Sequence, residues 1–389
     1  MSPTVGIVGG GQLARMMMAA AARLDLEVVL LAHADDAATP FCRRVIVGEP
    51  DAEGLHALAD VVDVLTVEHE LVDLGALRAI EATGTAAVRP SSSALAVAVD
   101  KVAQHERLGA VGVPTAPWIV TDELAVVEDF AAEHGWSLMA KRPTGGYDGR
   151  GVFPVSSSIE TVDVLQEVDG PVLFEPQLPI EREIAVLVAR RPGGELVVYD
   201  PVETVQVDGM CREVLLPASI PDALAVRARE IAVATAEAIG TVGILSVEQF
   251  VVDGEVLLNE LAARPHNAGH PTIEGTVTSQ FENHLRAVAD LPLGSVRRRG
   301  ASAMVNVVGG DLDPRERRAA ALAVPDAHLH LYGKQYRPGR KLGHVTVVAD
   351  ELGEARRRAN LAASMLMDGT EVAAQPGHDD AVDAGDVAS

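Results

Sequence analysis

Between Ile244 and Leu261, apolar residues run up to an Asp253-Gly254 pair and away from it again. An Asp-Gly pair flanked by apolar runs is the strongest short-range signal for a β-hairpin, so an antiparallel strand pair belongs here. Two acids interrupt these apolar strands, Glu248 on the first and Glu260 on the second, where a structural hairpin would carry Val or Thr. If the loop takes three residues, 253–255, Glu248 lies directly opposite Glu260. A two-residue turn places it opposite Asn259 instead. Either register gathers three oxygen ligands in a small volume, the donor type that hard cations such as Mg²⁺ prefer. A polar run follows at once, Arg264-Pro265-His266-Asn267-Ala268-Gly269-His270, and could hold an anionic substrate beside such a cation.

The remaining chain divides around this hairpin. At roughly 100–200 residues per domain, 389 residues predict two or three domains. Residues 4–90 alternate strand and helix: strands at 5–8, 27–32, 44–47 and 61–67, with a helix at 12–24. That pattern predicts a doubly wound, Rossmann-like α/β domain. Residues 86–88 close it, and Ser91-Ser92-Ser93 caps a helix running to about Leu108. A second, α+β region carries helices at 123–134 and 221–239. Its strands at 137–141, 152–155, 172–175, 182–190, 196–199 and 244–258 predict a largely antiparallel sheet. A small third region has strands at 301–308, 328–331 and 343–348, and helices around 314–322 and at 351–367. From Gln375 on, Pro, Gly, Asp and Ala show no hydrophobic period, which predicts a disordered acidic tail. The expected boundaries are 1–93, 94–295, 296–374 and the tail 375–389, with a lid subdomain at about 113–175.

Charge excludes one class of partner. Asp and Glu number 56 against 32 Lys and Arg, a net charge of −24. Nucleic-acid binding rests on phosphate neutralisation, so no nucleic acid is expected. No apolar run reaches the ~18 residues of a membrane span, so no membrane is expected either. The first residues lack the basic n-region of a signal peptide. Cys42 and Cys211 stand in unrelated segments without metal-site spacing, which fits a reduced cytoplasmic compartment. Basic residues still cluster locally. Arg297 to Arg299, and Arg315, Arg317 and Arg318, read as solvated surface. Lys334, Arg337, Arg340 and Lys341 read better as contacts for a phosphate.

Two glycine-rich loops add to this. Gly9-Gly10-Gly11-Gln12-Leu13-Ala14 follows the first strand and opens a helix, leaving a helix N-terminus to which a phosphate could come close. The second is more telling: Lys141-Arg142-Pro143-Thr144-Gly145-Gly146-Tyr147-Asp148-Gly149-Arg150-Gly151. Its glycines let backbone N–H groups wrap phosphates, and Lys141 brings a cation. It lacks the Lys-Ser/Thr and helix of a Walker loop, so it reads as a phosphate-covering lid. Downstream, the connector between Glu175 and Glu183 offers a free backbone edge to an adenine, with Glu183 placed for ribose hydroxyls.

Lysine strand, glycine lid, acid-bearing connector and Glu…Asn-Glu hairpin occur in the order of an ATP-grasp enzyme. The chain resembles, more closely, the N5-carboxyaminoimidazole ribonucleotide synthase family. The matching pieces include Gly6-Ile-Val-Gly-Gly-Gly-Gln-Leu-Ala-Arg-Met16, Gly145-Gly-Tyr-Asp-Gly-Arg-Gly151, Glu181-Arg-Glu183, Arg264-Pro-His-Asn267 and Gly269-His270. Thr272-Ile-Glu-Gly275, Thr278-Ser-Gln-Phe281, His330-Leu-Tyr-Gly-Lys334, Arg337-Pro-Gly-Arg-Lys341 and Gly343-His344 complete the set. The resemblance implies an ATP-grasp fold with an N-terminal pre-ATP-grasp domain and a small C-terminal domain. It implies ATP-dependent carboxylation of 5-aminoimidazole ribonucleotide with bicarbonate, through carboxyphosphate, in purine biosynthesis, by a homodimer. Glu248 and Glu260 would hold Mg²⁺ (or Mn²⁺). ATP would meet Lys101, Lys141, Gly146, Tyr147, Asp148, Gly149, Arg150, Gly151, Glu175, Leu178, Glu183, Gln206, Asn259 and Glu260. The ribonucleotide would meet Gln12, Glu70 (or its neighbour Glu68), Tyr147, Asp148, Arg150, Arg264, His266, Asn267, Lys334, Arg340 and Lys341. Arg264, Tyr147, Arg150 and His266 would serve the chemistry. The Tyr-Gly-Lys and Arg-Pro-Gly-Arg-Lys pieces speak against the formate-dependent glycinamide ribonucleotide transformylase, which shares the nucleotide machinery. An NAD-binding oxidoreductase is disfavoured by the ATP-like second region.

Overall fold

The computed structural model describes residues 2–145, 151–310 and 312–369. The N-terminal region forms a parallel sheet in the order Arg44–Val47, Val28–Ala32, Val5–Val8, Val64–Val67, Ala87–Val88. Its central strand is buried along its whole length, as expected where helices cover both faces. The helix Gln12–Leu24 begins and ends where the hydrophobic period places it. The single helix expected after Ser91 is two, Ser92–Ala98 and Lys101–Gly109. Asp100 breaks it. Its extended backbone ends one helix, and its carboxylate accepts from the Val102 and Ala103 amides to start the next.

Two antiparallel sheets follow. The smaller has the order Ile119–Thr121, Val172–Pro176, Leu138–Lys141, Val152–Val155, and holds its own core around Phe130, Leu138, Val164 and Phe174. The larger runs Glu255–Ala262, Gly243–Val252, Arg182–Arg190, Val202–Val207, Met210–Leu216, Ala301–Val308, Lys341–Ala349, Ala327–Leu331, with Leu196–Val198 beside Arg182–Arg190. The strands of the third region therefore continue the sheet of the second through pairs such as Val214 with Met304. Aromatics make up only 3% of the chain, so small side chains must close the cores. The helix Leu352–Met367 does so with Ala355, Ala359, Ala362 and Ala363, which let it lie close on Ala303 and Val345. Arg317, read as solvated surface, instead donates to the Met365 and Gly369 carbonyls at this helix's C-terminal end. Arg298 and Arg299 are likewise structural, the first on Asp200 and the second on the Thr276 and Val277 carbonyls. Among the described residues, no helix is long and apolar enough to cross a membrane.

Candidate active site

The hairpin settles its register by combining both expectations. Val252 pairs with Glu255, so the turn has two residues, and Asp253 and Gly254 both take positive φ (50° and 74°). That is the geometry an Asp-Gly turn favours. Yet Glu248 pairs with Glu260, because the register shifts between Glu248 and Gln249. Asn259 is the extra residue of a β-bulge. Bulges of this kind re-aim side chains beside active sites.

Two acids facing each other repel, and their protonation reflects it. Glu248 is pushed up to about 8, first by burial and then by the charge of Glu260, with Lys101 and Arg264 acting against the shift. Glu260 stays below the usual carboxylate range: burial opposes ionisation, but Lys101, and after it Lys141 and His266, outweigh burial. Lys101 forms an ion pair with Glu260. His266 Nε2 lies 3.2 Å from Glu248 Oε1. Two hard carboxylate donors held so close that Glu248 keeps its proton fit a divalent cation, which would take that proton's place. Two carboxylates and an amide do not enclose one, which suits Mg²⁺, since it keeps waters and substrate phosphates among its ligands. Among the described residues, no group of three or more His, Cys, Asp or Glu could hold a metal by itself.

The smaller sheet faces this hairpin. Lys141 Nζ lies 2.5 Å from Glu175 Oε2 and reaches Asn259 Oδ1 at 3.5 Å. Glu175 also accepts from His105 Nε2 at 2.9 Å. Burial would raise its pKa, but His105 and Lys141 hold it below the usual range. His105 escaped the sequence reading. The signal was available, because Lys101 and His105 stand four apart on one helix and so share a face. Glu183 lies on the neighbouring strand, hydrogen-bonded to Gln206; burial raises its pKa, Gln206 offsets part of this and Glu260 adds to it. The connector 177–181 is tied to the hairpin by Glu181 N to Val251 O, 2.9 Å. Leu178 lies half-buried within it. The glycine loop closes at its base, where Arg142 N donates to Gly151 O at 2.8 Å and Lys101 N to Pro143 O at 2.9 Å. Gly146, Tyr147, Asp148, Gly149 and Arg150 lie outside the described residues, as does the tail from residue 370.

The first glycine loop corrects an expectation. Its helix N-terminus is occupied by the chain itself: Glu68 accepts from Gly11 N at 2.5 Å and Ala14 N at 2.9 Å. A Cβ on Gly9 or Gly11 would collide with Glu68, and one on Gly10 with Ala32 and Asp36. Close approach of a carboxylate, not of a phosphate, explains these glycines. The same contact separates Glu68 from Glu70. Glu68 is buried under the helix, whereas Glu70 Oε2 accepts from Arg264 Nε at 2.5 Å and leaves its buried Oε1 unpartnered. Gln12 sits half-buried between the two amides that Glu68 holds.

The basic cluster comes from the far end of the large sheet. Lys341 begins the strand Lys341–Ala349 and pairs with Val308 across a bulge. Lys334 Nζ lies 5.7 Å over the Tyr332 ring, and Arg340 donates to Gln335 O. The Cys211 thiol, on the strand Met210–Leu216, feels the charge of both Lys341 and Glu248. Burial pushes it up to about 12, with Lys341 easing the shift and Glu248 adding to it. Asn267, whose side-chain amide also eases the Cys211 shift by a hydrogen bond, opens the short turn after His266.

Comparison with known proteins matches each of the three regions to a family. Residues 1–99 match the ribonucleotide synthetase preATP-grasp domain family, residues 106–281 the ATP-grasp domain family, and residues 302–358 the phosphoribosylaminoimidazole carboxylase C-terminal domain family. The N5-carboxyaminoimidazole ribonucleotide synthase of Mycobacterium tuberculosis is 42% identical over 381 residues, 95% of this chain and 89% of that protein. That of Synechococcus elongatus is 38% identical over 370 residues, 93% of each. The Aspergillus clavatus N5-carboxyaminoimidazole synthase, solved in complex with ADP and 5-aminoimidazole ribonucleotide, superposes with a TM-score of 0.86 at 35% identity, covering 94% of this chain and 98% of that one.

Proposed function

This chain belongs to the N5-carboxyaminoimidazole ribonucleotide synthase family of ATP-grasp enzymes, and we propose that the cleft between its two antiparallel sheets performs that family's reaction. The chain is an ATP-dependent ligase that carboxylates 5-aminoimidazole ribonucleotide. One observation supports the location above all: Glu248 faces Glu260 across a bulge, with Lys101, Lys141 and His266 converging on the pair. ATP lies between the sheets. Its phosphates meet Lys101, Lys141 and the loop from Gly145 to Gly151, including Gly146, Tyr147, Asp148, Gly149 and Arg150. The Glu175 carbonyl and Leu178 N–H take the adenine, and Glu183 with Gln206 the ribose. Glu248, Glu260 and Asn259 hold Mg²⁺, or Mn²⁺, which when bound supplies charge neutralisation to the phosphates.

Phosphoryl transfer asks the protein for positioning and charge compensation more than for a nucleophile. A bicarbonate oxygen takes the γ-phosphoryl group as its bond to ADP breaks. The ribonucleotide amine then forms a bond to the carboxyl carbon, the carbon–oxygen bond to phosphate breaks, and the amine loses a proton. Arg264 and His266, with Tyr147 and Arg150, serve this chemistry at the reacting centre. Gln12, Glu70, Asp148 and Asn267 orient the ribonucleotide. Lys334, Arg340 and Lys341 take its 5′-phosphate. A closed, water-poor site is needed because carboxyphosphate hydrolyses easily. A homodimer working in the cytoplasm completes this reading.

ADP release, measured with each candidate acceptor and with or without bicarbonate, tests it. Release should rise strongly with 5-aminoimidazole ribonucleotide and far less with its nucleoside, since remote binding energy is used at the reacting centre. Equal rates with nucleotide and nucleoside, or stimulation by glycinamide ribonucleotide with formate instead, would overturn it.

A further inference from the structure

The segment Thr278-Ser279-Gln280-Phe281 supplies none of the residues assigned above, yet one of its side chains holds the loop that does. Gln280 is fully buried at the start of the helix Gln280–Val288. Its side-chain amide pairs with both backbone groups of His266: Oε1 accepts from His266 N at 2.9 Å, and Nε2 donates to His266 O at 2.7 Å. The second Nε2 hydrogen points to His270 Nδ1 at 3.1 Å. An N–H facing one end and a carbonyl facing the other fix the orientation of this amide. Gln280 thus serves His266 as a neighbouring β-strand would.

The surrounding loop is shaped to this amide. A Cβ on Gly269 would collide with Gln280 Oε1 and Cδ. The backbone N–H of Gln280 donates to Thr272 Oγ1 at 2.9 Å, and that hydroxyl donates to Gly269 O at 2.5 Å. The loop held in this way carries Arg264, bonded to Glu70, and His266, which reaches Glu248. Leu187 Cδ2 crowds the same point, so only a glycine fits between it and the Gln280 amide.

We propose that Gln280 is a positioning residue for the acceptor half of the reaction. It fixes the backbone at His266, and through it Arg264, His266 and Asn267, against the carboxylate pair. This rests on the functional reading above. The geometry favours a role in positioning over one in stability alone, because the Gln280 amide spends all three bonds on the one loop that reaches the acids. Among the described residues, the groups assigned to ATP lie on other elements and take none of these hydrogen bonds.

Gln280→Met fills the same volume without the clamp, and Gln280→Asn keeps the amide but falls one methylene short. Steady-state kinetics of ADP release in the full-length protein should show kcat lowered about 100-fold, as for ~1 Å misplacements in other active sites. The KM for 5-aminoimidazole ribonucleotide should rise several-fold while the KM for ATP stays within about twofold. A residue that merely stabilised the fold would lower the active fraction and leave both KM values alone, and that outcome overturns the proposal. So does a parallel rise in both KM values. Should neither variant fold, Gly269→Ala decides, because its methyl displaces the Gln280 amide from the loop side. The same split supports the clamp, and unchanged kinetics refute it. The unmodified protein in the same assay separates the two readings: if it ignores the ribonucleotide, the functional reading has failed and not this one.

Discussion

His284 is the smallest part of the molecule on which its pH response depends. The ring is fully buried between the N-terminal sheet and the large sheet. Nδ1 accepts from Ile244 N at 3.1 Å, which places the ring proton on Nε2, 2.8 Å from Thr66 Oγ1. Gly243, at φ +107°, passes so near that a Cβ would touch the ring. Burial lowers the His284 pKa to about 3. Protonation would set a second N–H against the Ile244 amide, so the folded state keeps the ring neutral. The unfolded chain binds the proton near pH 6.5, so this contribution is complete above that pH and is lost as pH falls toward 3. The loss from His284 alone is about 1.4 kcal/mol per pH unit. His270 and His344, both buried and depressed, act in the same direction. Between pH 7.5 and 5.5 these histidines lower stability while Glu248, held up at about 8, raises it, so the share of His284 is read from a variant and not from the parent's total. His284→Phe should cost about 2–4 kcal/mol at pH 7.5, since it strands a buried amide. Its gap from the parent should narrow by about 1.4 kcal/mol at pH 5.5. A gap independent of pH would show that His284 carries no linked proton.

Among the elements, the bulged hairpin does most to define the site. Deleting Asn259 should turn the ladder regular while Glu248 still pairs with Glu260. Asn259→Ala should keep the bulge and lose only the amide. If the bulge aims Glu260, the deletion should lower kcat on the order of 10²-fold and the substitution about tenfold, with thermal stability of both near the parent. Equal activity in the two variants would mean that the bulge aims nothing. The hairpin was legible in the sequence because Asp253-Gly254 marks its turn and two acids stand where apolar residues belong. The bulge was not, since nothing local distinguishes Asn259 from a regular strand residue. Strands that are apolar on both faces, such as Arg182–Arg190, were equally plain. The strands Val202–Val207 and Met210–Leu216 went unread, because Glu203, Gln206, Arg212 and Glu213 hide the apolar alternation. They are interior strands with polar residues turned to partners: Glu203 to Arg182, Glu213 to Arg356. The helix Gln280–Val288 was missed for a related reason. Gln280, Glu282, Asn283 and His284 are all buried, so its inward face does not look hydrophobic. Glu68 and Glu70, two residues apart, differ only in what tertiary structure brings to them, a helix end for one and Arg264 for the other.

At the scale of the whole molecule, sheet continuity decides what unfolds with what. The third region shares a sheet with the second, and the core around Ala303 and Val305 includes Leu215 from the neighbouring strand. Neither can leave without exposing the other. The N-terminal sheet is joined to them through one core that runs from Val29 and Leu65 to Val186 and Val247. The four-stranded sheet is the exception. It has a core of its own, and its ties to the hairpin include Leu258 N to Pro114 O and Glu181 N to Val251 O. The chain has two tryptophans, Trp118 and Trp136. Trp118 precedes one strand of this small sheet, and Trp136 packs on its core. Tryptophan fluorescence therefore reports on the small sheet, and far-ultraviolet circular dichroism on the whole molecule. In urea the fluorescence transition should come first. A stability difference of about 2 kcal/mol separates the midpoints by roughly 1 M at the slopes usual for small domains. Under the proposed function, ATP joins Lys141 and Glu175 on the small sheet to Glu183, Gln206 and the acid pair on the large one. Mg-ATP at about 100 times its Kd should then add about 2.7 kcal/mol to the small sheet and bring the two transitions together. Glu260→Gln should weaken that effect, since the nucleotide would lose the carboxylate through which it engages the large sheet. Coincident transitions in the unliganded protein would show that the small sheet does not open separately. Separate transitions that Mg-ATP leaves in place would show that the nucleotide does not bridge the two sheets.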